Sequence, residues 1–416
     1  MDNIPTPRPL VSYIENTIDP ETNQPATNVL VNGFLTGPQI AKTYQTPAST
    51  AYGVKIGIFS FGGGFLQSDF NSTFANLQSA GYIASNLTAP TIRQVLLNGQ
   101  HGTFSTNDSN ASLENTLDIS LIGTLCPQAN ITLYIGSNYT SMMNQAIADG
   151  CNIISISWAA NEYTSDESNF INAVANGLTV CASSGDYGSI GNTGNTNDTV
   201  VYPSVSPNVI SVGGTYLTVY SNAGSLNDTR LTELDSNRSG LGGGGGVSTL
   251  FSLPSWQNLL YYTPIANNVK GSPTLLTNRG VPDVSAPFWN INITYNGSVV
   301  TTGGTSASCP IIASFLARFQ QLTGVTRSST DWHNFFYNSP YGSIQNFYDI
   351  TTGQNNDAIS DGYAGTSGWD AVTGLGAPTN SGIYQNIHKG FTFPKQNYGF
   401  RPSSGPTYPR KTTGAR

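Results

Sequence analysis

Short apolar segments rich in β-branched residues recur through the first half of the chain and alternate with stretches of helical periodicity. The apolar segments span residues 54–60, 131–135, 153–157 and 178–183, and the helical stretches span residues 69–80, 109–126 and 141–149. Short buried strands that alternate with helices are typical of a mainly parallel sheet covered by helices on both faces. The sequence therefore predicts an α/β fold with three layers.

Polar residues lie at the carboxyl ends of several of the predicted strands. They are Ser60, Ser157, Ser183 and Asp186. In parallel α/β sheets, functional sites form beyond the carboxyl ends of the strands, where loops lead into helices. We therefore expect a functional site that includes these loops.

A glycine turn places Ser306 at the start of a further predicted helix. Gly303 and Gly304 allow a tight turn, and an apolar run at residues 311–322 follows the serine. The amides of a first helical turn are unpaired and the helix dipole is positive there, so negative charge that develops near Ser306 would be stabilised. Two interpretations stay open from this segment alone: a helix cap with Pro310 in the first turn, or a nucleophile.

Two acids lie within the apolar face of the helix predicted at residues 109–126. Glu114 and Asp118 are four positions apart, among leucines such as Leu113 and Leu117. Like charges at this spacing destabilise a helix by ~0.2–0.5 kcal/mol even when exposed, and burial makes ionisation of both much harder. The pattern predicts a shared proton and raised pKa values, as in a general base that works at acidic pH. The alternative is that hydrogen bonds satisfy both acids, or that they face water.

Charge is scarce in this sequence. Charged residues make up 9% of the chain, and the net charge is −7 with a pI near 4.8. With so few charged residues, the stability of the fold depends on few ionised carboxylates, which suits a protein that works at low pH. The negative net charge argues against nucleic-acid binding by the main body. Residues 388–416 carry +6 and no acid, so the rest of the chain carries −13. We expect this tail to be a mobile end or an arm that docks on an acidic partner.

Cysteine spacing and hydropathy bear on the environment of the protein. The four cysteines lack metal-type spacing, so we expect buried free thiols at Cys126, Cys151, Cys181 and Cys309. No apolar run of about 18 residues predicts a membrane span, and residues 1–10 lack the order of a signal peptide. Sequons for N-glycosylation include Asn71, Asn86, Asn130, Asn237 and Asn292. We expect a monomer in a secreted or lysosome-like acidic setting, with an intracellular or particle-associated setting left open.

A serine at a glycine turn in such a sheet first suggests a Ser-His-Asp triad of the subtilisin type. His101 supports this hypothesis, because its segment QHGT is similar to the His-Gly-Thr segment of subtilisins. Two other parts of the subtilisin pattern are missing. The strand at residues 54–60 has no Asp at its end, and Asp186 lies in the segment where subtilisins use an Asn for the oxyanion. A subtilisin that uses His101 therefore stays a minor hypothesis.

Six separated segments resemble the sedolisins, the serine-carboxyl peptidases with a subtilisin-like fold. They are GGTSASCP at residues 303–310, ENTLD at 114–118, IISISW at 153–158, SSGD at 183–186, GGGGVS at 243–248 and the segment 35–47. The resemblance covers residues 35–387 and implies one peptidase domain, with residues 1–34 as an N-terminal extension. Sedolisins generally carry a long prosegment, so the short extension suggests a processed form or maturation without that device.

The resemblance also implies roles for individual residues. Ser306 would attack the peptide carbonyl, and Glu114 would accept its proton. Asp118 would orient Glu114, and a protonated Asp186 would donate to the oxyanion. The implied substrate contacts are Gly243, Gly244, Gly245, Ser157 and Trp158. The substrates would be peptides or proteins, with endopeptidase cleavage expected; the alternative is a catalytically silent structural or binding protein with the same fold.

A calcium loop at about residues 347–376 is the last feature that the resemblance implies. Segments 347–351 and 365–370 look like the loop in which sedolisins bind one structural Ca²⁺ ion. The implied ligands are the carboxylates of Asp349 and Asp370 and the carbonyls of Ile350, Thr366 and Gly368. Oxygen ligands of this kind are what Ca²⁺ requires. The family usually has Gly where Thr366 stands.

Overall fold

A computed structural model describes residues 5–11, 13–31, 33–46, 48–190, 200–220, 229–238, 240–338, 347–356 and 361–379. The basic tail at residues 388–416 and the last residues of the expected peptidase domain lie outside these described residues.

The described residues form seven α-helices and 24 strands. The helices are α1 Gly37–Thr43, α2 Gln67–Ser79, α3 Ala111–Leu125, α4 Tyr139–Ala148, α5 Glu167–Ala175, α6 Thr305–Thr323 and α7 Ser329–Asn338, with 3₁₀ turns at Gly188–Ile190 and Ser255–Gln257. The strands of the central sheet are β5 Lys55–Ser60, β6 Arg93–Leu96, β7 Asn130–Ile135, β8 Ile153–Ile156, β10 Thr179–Ser183, β12 Ile210–Tyr220, β13 Thr229–Asp235 and β19 Val284–Pro287. The smaller sheets contain β1 Arg8–Pro9, β2 Tyr13–Asn16, β3 Ile18–Asp19, β4 Gln24–Pro25, β9 Trp158–Asn161, β11 Val201–Tyr202, β14 Gly246–Ser252, β15 Tyr261–Ala266, β16 Val269–Lys270, β17 Thr274–Leu275, β18 Asn278–Val281, β20 Ile291–Tyr295, β21 Ser298–Gly303, β22 Phe347–Tyr348, β23 Gly362–Ala364 and β24 Ala377–Pro378.

The central sheet is mainly parallel. Its strands follow the order β6-β7-β5-β8-β10-β12, and every neighbouring pair along this path is parallel. Strand β19 adds another parallel pairing to β12, whereas β13 pairs with β12 in the antiparallel sense. β5 is the first strand of this sheet along the chain. β7 and β6 lie on one side of it and β8, β10 and β12 on the other, so the strand order reverses at β5. Such a reversal opens a crevice at the carboxyl ends of the strands.

Apolar side chains on the two faces of this sheet form separate cores. Along β5, Ile56 and Ile58 point into the core that contains α1, α2, α3 and α6, whereas Phe59 belongs to the core that contains α4 and α5. This alternation follows from the period of two residues in a strand. Helices therefore cover both faces, and the predicted α/β fold with three layers is confirmed.

The predicted strands and helices of the first half are found within about two residues of their expected bounds. The apolar run at residues 311–322 lies inside α6, which begins at Thr305. Ser306 is therefore inside the first helical turn. Pro310, which the cap interpretation puts in that first turn, is the sixth residue of the helix.

Helix α3 is buried around its whole circumference, from Ala111 to Leu125. The sequence predicts an apolar face opposite a polar face of Asn115, Thr116, Ser120 and Gly123. The polar face is also covered, since α3 packs against α1, α2 and α6 as well as the sheet. A helix buried on all sides forces its two acids into the protein interior.

The N-terminal residues are built into the fold. Strand β1 pairs with β9, and β2 pairs with β21, the strand that leads to the glycine turn before Ser306. Strands β3 and β4 pair with each other. The sequence shows no periodicity in residues 1–34 and predicts only an extension there.

Several expectations about the surface and environment can be compared with the structure. All four cysteines are buried and free, as expected. Asn71, Asn86 and Asn130 are exposed, but the sequon at Asn292 is buried and its amide donates to the Val29 carbonyl at 3.1 Å. Across the described ranges, no helix has the length and apolarity needed to cross a membrane.

Candidate active site

The glycine turn holds Ser306 in a buried position at the start of α6. Gly304, the residue before the helix, has a φ of +125°, which side chains with a Cβ rarely adopt. A Cβ on Gly303 would lie 2.1 Å from the Phe288 carbonyl oxygen. Ser306 itself is fully buried, and its Oγ donates a hydrogen bond to Oε2 of Glu114 at 2.8 Å.

Pro310 changes the hydrogen bonding of Ser306. In a regular helix the amide of residue 310 would donate to the carbonyl of residue 306, but proline has no amide hydrogen. The Ser306 carbonyl instead accepts from the Oγ of Ser157 at 3.4 Å. Pro310 thus leaves a carbonyl of the first turn of α6 available to the loop that follows β8.

Glu114 and Asp118 occupy adjacent turns of α3 and are both fully buried. Burial raises the pKa of Glu114 well above its ordinary value, and the Asp118 charge raises it further, whereas the Ser306 hydrogen bond lowers it. Burial also raises the pKa of Asp118 well above its ordinary value, against a hydrogen bond from Ser157. The physical cause is the cost of charge in a medium of low polarity. The prediction that these acids are buried is confirmed.

Each of the two acids has one oxygen without a hydrogen-bond partner among the described residues. These atoms are Glu114 Oε1 and Asp118 Oδ2. The other oxygens are bonded, Glu114 Oε2 to Ser306 and Asp118 Oδ1 to the Ser157 hydroxyl at 2.8 Å. Buried carboxyl oxygens are rarely left unpaired. A single proton on this pair of acids would turn one oxygen into a donor.

Asp186 follows β10 and contacts the residue before Ser306. Its Oδ1 accepts hydrogen bonds from the Thr305 amide and from the Thr305 hydroxyl, each at 2.7 Å. Its charge is close enough to Glu114 to raise the pKa of that carboxyl. Asp186 is buried, with 2% of its surface exposed. The structure therefore brings Ser306, Glu114, Asp118 and Asp186, from three separate elements, into one cluster.

The loop after β8 links the acids to strand β9. Ser157, expected only to contact substrate, donates to Asp118 and so belongs to the hydrogen-bond network of the acids. Trp158 begins β9 and packs against Phe61 with ring centroids 5.7 Å apart. Phe61 follows β5, so the carboxyl ends of β5 and β8 meet here. This is the place where the strand order reverses and where a crevice is expected.

Gly243, Gly244 and Gly245 are buried and pack against the protein's own backbone. A Cβ on Gly244 would lie 2.0 Å from the Ser184 carbonyl oxygen, and one on Gly245 would lie 2.1 Å from that of Ala371. The Gly244 amide donates to the Gly185 carbonyl at 2.7 Å. Close backbone packing therefore accounts for these glycines, and their contact with substrate stays a prediction.

His101 is exposed in the loop between β6 and α3, whereas Ser306 is buried and donates to a glutamate. The serine hydroxyl has a carboxylate where the subtilisin hypothesis needs a histidine.

Sequence reasoning missed Thr305, which holds Asp186 beside the serine. The available signal was the position of Thr305 next to Ser306 in the chain.

The loop expected to bind calcium brings Asp349 and Asp370 together. The amides of Gly368 and Thr366 donate to Asp349 and Asp370 at 2.8 Å and 2.9 Å. Asp349 Oδ1 is buried without a hydrogen-bond partner in the described residues. Burial raises the pKa of Asp370 to about 7, and the charge of Asp349 also raises it. The described ranges contain no group of three or more His, Cys, Asp or Glu side chains that could hold a metal ion.

Comparison with known proteins agrees with this fold. The model of the subtilase family matches residues 104–334, more than half of the chain. Kumamolisin from Bacillus sp. (strain MN-32) is 32% identical over 368 residues, which cover 84% of this chain and 62% of kumamolisin. Sedolisin from Pseudomonas sp. (strain 101) is 29% identical over 361 residues, which cover 79% of this chain and 57% of sedolisin. The chain therefore belongs to the subtilase family, and its relatives group it with the sedolisins.

A solved structure has the same fold. Pseudomonas sedolisin, a serine-carboxyl proteinase complexed with two molecules of pseudo-iodotyrostatin, superposes with a TM-score of 0.62 at 24% identity. The match covers 85% of this chain and 97% of that structure. The subtilisin-like architecture is thus shown for this chain. The chain spans about three-fifths of the length of the two sequence relatives.

Proposed function

We propose that this protein is a serine-carboxyl peptidase that hydrolyses peptide bonds at acidic pH. The observation that carries the proposal is the hydrogen bond from Ser306 Oγ to Glu114 at 2.8 Å, inside a buried cluster that holds two further acids. A nucleophile needs a base within hydrogen-bond reach, and this geometry supplies one.

The first step is attack by Ser306 on the peptide carbonyl. Glu114 accepts the serine proton and later returns it to the leaving amine, which leaves an acyl-enzyme that water hydrolyses. Because burial and Asp118 raise the pKa of Glu114 well above its ordinary value, the ionised carboxylate is a stronger base than an exposed glutamate.

Repulsion between Asp118 and Glu114 keeps one proton on this pair of acids. Double ionisation of two buried acids on adjacent helical turns is disfavoured by their mutual repulsion. One proton for the two acids satisfies one unpaired oxygen and leaves a carboxylate to act as base. Ser157 fixes Asp118 through its hydroxyl and also contacts the Ser306 carbonyl, so it couples the base to the nucleophile.

Asp186 is the proposed donor to the oxyanion, together with the Ser306 amide. Thr305 holds its carboxyl beside the serine through two hydrogen bonds. A carboxyl group donates only when it carries a proton, so this role requires acidic conditions. Loss of one oxyanion donor typically lowers the rate by ~10²–10³.

The substrates are peptides or proteins, and the chain works as a monomer in a secreted or lysosome-like acidic setting. One structural Ca²⁺ is proposed at Asp349 and Asp370, with the carbonyls of Ile350, Thr366 and Gly368. The unpaired buried Asp349 oxygen and the nearby second carboxylate support this oxygen-only site. A cation there would stabilise the loop that packs beside Gly245 through Ala371.

Casein cleavage at about pH 4 and about pH 7 tests the proposal, with three variants that separate the hypotheses. We expect activity at the acidic pH, loss of activity in Ser306→Ala with an unchanged fold, and a loss of ~10²–10⁴ in Glu114→Gln. His101→Ala is the matched control and should remain active. Equal or greater activity at neutral pH would contradict acid action, and an inactive wild type would support the silent alternative.

A further inference from the structure

A cavity lies at the far ends of the two helices that carry Ser306 and Glu114. Its volume is about 490 Å³, and its wall includes Thr124 near the end of α3 and Arg318 and Gln321 near the end of α6. Measured along the helix axes, Arg318 is ~18 Å from Ser306 and Thr124 is ~15 Å from Glu114. The cavity is therefore separate from the candidate active site, and the proposed mechanism does not use it.

Arg318 has no acidic partner in the described part of the chain. Its Nε donates to the Leu125 carbonyl at 2.9 Å, and its Nη1 donates to the Thr46 hydroxyl at 2.8 Å. Both acceptors are uncharged, although the Leu125 carbonyl lies at the negative end of the α3 dipole. A guanidinium has five N–H groups, so three have no acceptor among the described residues. Burial lowers the pKa of Arg318, because its charge is partly removed from water.

The wall of this cavity combines positive charge with apolar surface. Lys42 also lines it, with its Nζ 4.9 Å from the ring centroid of Tyr82. Apolar residues of the wall include Ile83, Leu87 and Pro127. No Asp or Glu is found among the described residues that line the cavity. A ligand that matches this wall has negative charge at one end and apolar groups elsewhere.

Another basic cavity of the same protein shows what Arg318 lacks. That cavity has a volume of about 510 Å³ and is lined by Lys55 and Arg93, the first residues of β5 and β6. Asp149 supplies the anion there, since its Oδ2 accepts from Arg93 at 2.7 Å. Its main-chain carbonyl accepts from the Lys55 ammonium, also at 2.7 Å. Beside Arg318 the protein places no such carboxylate, so a bound molecule can supply it.

We propose that the cavity beside Arg318 binds a small apolar carboxylate. The carboxylate would accept from the N–H groups of Arg318 that have no other acceptor, and the apolar part would pack against Ile83 and Leu87. Guanidinium and carboxylate groups form two parallel hydrogen bonds when they meet edge to edge. Inorganic phosphate fits less well, because it would leave the apolar wall in contact with water.

Two kinds of molecule have this chemistry. One is a fatty acid of medium length, and the other is the carboxyl terminus of a short peptide that ends in an apolar residue. Both put a carboxylate beside Arg318 and a hydrocarbon group against the apolar wall. The inference does not rest on the proposed peptidase function, because the cavity is remote from Ser306.

Isothermal titration calorimetry of the full chain at about pH 6 tests the inference, because ordinary carboxyl groups are ionised at that pH. The probes are octanoate and N-acetyl-leucine, each compared with its uncharged amide, and inorganic phosphate. We expect wild type to bind at least one of the two carboxylates, and to bind the matching amide at least ~10-fold more weakly. The carboxylate that binds more tightly identifies the source of the ligand.

Three variants locate the binding. Arg318→Gln should weaken it by ~10-fold or more, since the hydrogen bonds to the charged group are lost. Ala84→Glu puts a carboxylate at an exposed position of the wall and should also weaken binding, without a change to a buried residue. Arg93→Gln is the matched control in the other basic cavity and should bind like wild type, because Arg93 is already paired with Asp149.

Several outcomes would overturn the inference. They are no binding of either carboxylate, equal binding of a carboxylate and its amide, and equally tight binding of phosphate. Unchanged binding by Arg318→Gln, or the same loss in Arg93→Gln, would also overturn it. If circular dichroism shows that Arg318→Gln is unfolded, Ala84→Glu decides, and unchanged binding by that variant overturns the inference. Casein cleavage by the same samples reports on the peptidase function separately, so either proposal can fail without the other.

Discussion

The buried pair Glu114 and Asp118 makes the stability of the native protein depend on pH in a direction that can be worked out. Both folded-state pKa values are raised above the ordinary values of 4.5 and 3.8. Between those ordinary values and the raised ones, the native protein binds more protons than the unfolded chain. Stability is therefore fully present below the ordinary values and is lost as pH rises toward the raised ones.

The magnitude follows from the number of protons. With one proton on the pair in the native state and none in the unfolded chain, the free energy of unfolding falls by ~1.4 kcal/mol per pH unit. Over two pH units in which the native pair keeps its proton, the loss is thus about 2.7 kcal/mol, a large part of the ~5–15 kcal/mol that stabilises a typical domain. Other acids with raised pKa values, such as the partly buried Glu167 and the buried Glu233, add slopes of their own. Only a comparison of variants isolates the pair.

The experiment compares Ser306→Ala with a variant that also carries Glu114→Gln and Asp118→Asn. The serine change prevents self-digestion in both samples, and the amides cannot ionise. Urea unfolding is monitored by tryptophan fluorescence at a series of pH values above the ordinary pKa values of the two acids. It gives the free energy of unfolding of each variant. We expect the triple variant to have the shallower pH dependence, by about 1.4 kcal/mol per pH unit. Parallel curves would refute the reasoning, since they would mean that the pair holds no extra proton in the native state.

Three further predictions concern Asp186, the expected calcium loop and the glycine run. Asp186→Asn should lower kcat by ~10²–10³ with little effect on KM, and a change in KM alone would contradict an oxyanion role. Addition of Ca²⁺ should raise the thermal midpoint of the wild type in differential scanning calorimetry but not that of Asp349→Asn; equal rises in both would exclude this loop as the binding site. Gly244→Ala should lower the thermal midpoint, because its Cβ would lie 2.0 Å from the Ser184 carbonyl oxygen, whereas Gly62→Ala, whose Cβ would meet nothing closer than 4.0 Å, should not.

The sequence allowed prediction of those parts of the site that depend on local pattern. Glu114 and Asp118 share a face because they are four residues apart on one helix, and any helix over that segment puts them side by side. The strands could be predicted for a similar reason, since each is a compact apolar run. Ser306 needed more than its own segment, because a serine after two glycines is also a common helix cap.

Pro310 shows where local pattern is misleading. A proline shortly after a glycine turn suggests the first turn of a helix, where the missing amide hydrogen has no effect. The helix instead begins at Thr305, five residues before Pro310. Because Pro310 has no amide hydrogen, the Ser306 carbonyl lacks its helical hydrogen bond. Just before α6, Gly303 packs against the carbonyl of Phe288, which lies between β19 and the hairpin of β20 and β21. Such packing leaves no periodic signal in the segment itself.

The position of Leu10 could not be predicted either, because it depends entirely on packing against distant segments of the chain. Residues 8–10 have no periodicity, and β1 consists of two residues that would not form a strand alone. They are extended because β9 offers an unpaired edge and because Ala159 and Val201 offer a place for one apolar side chain.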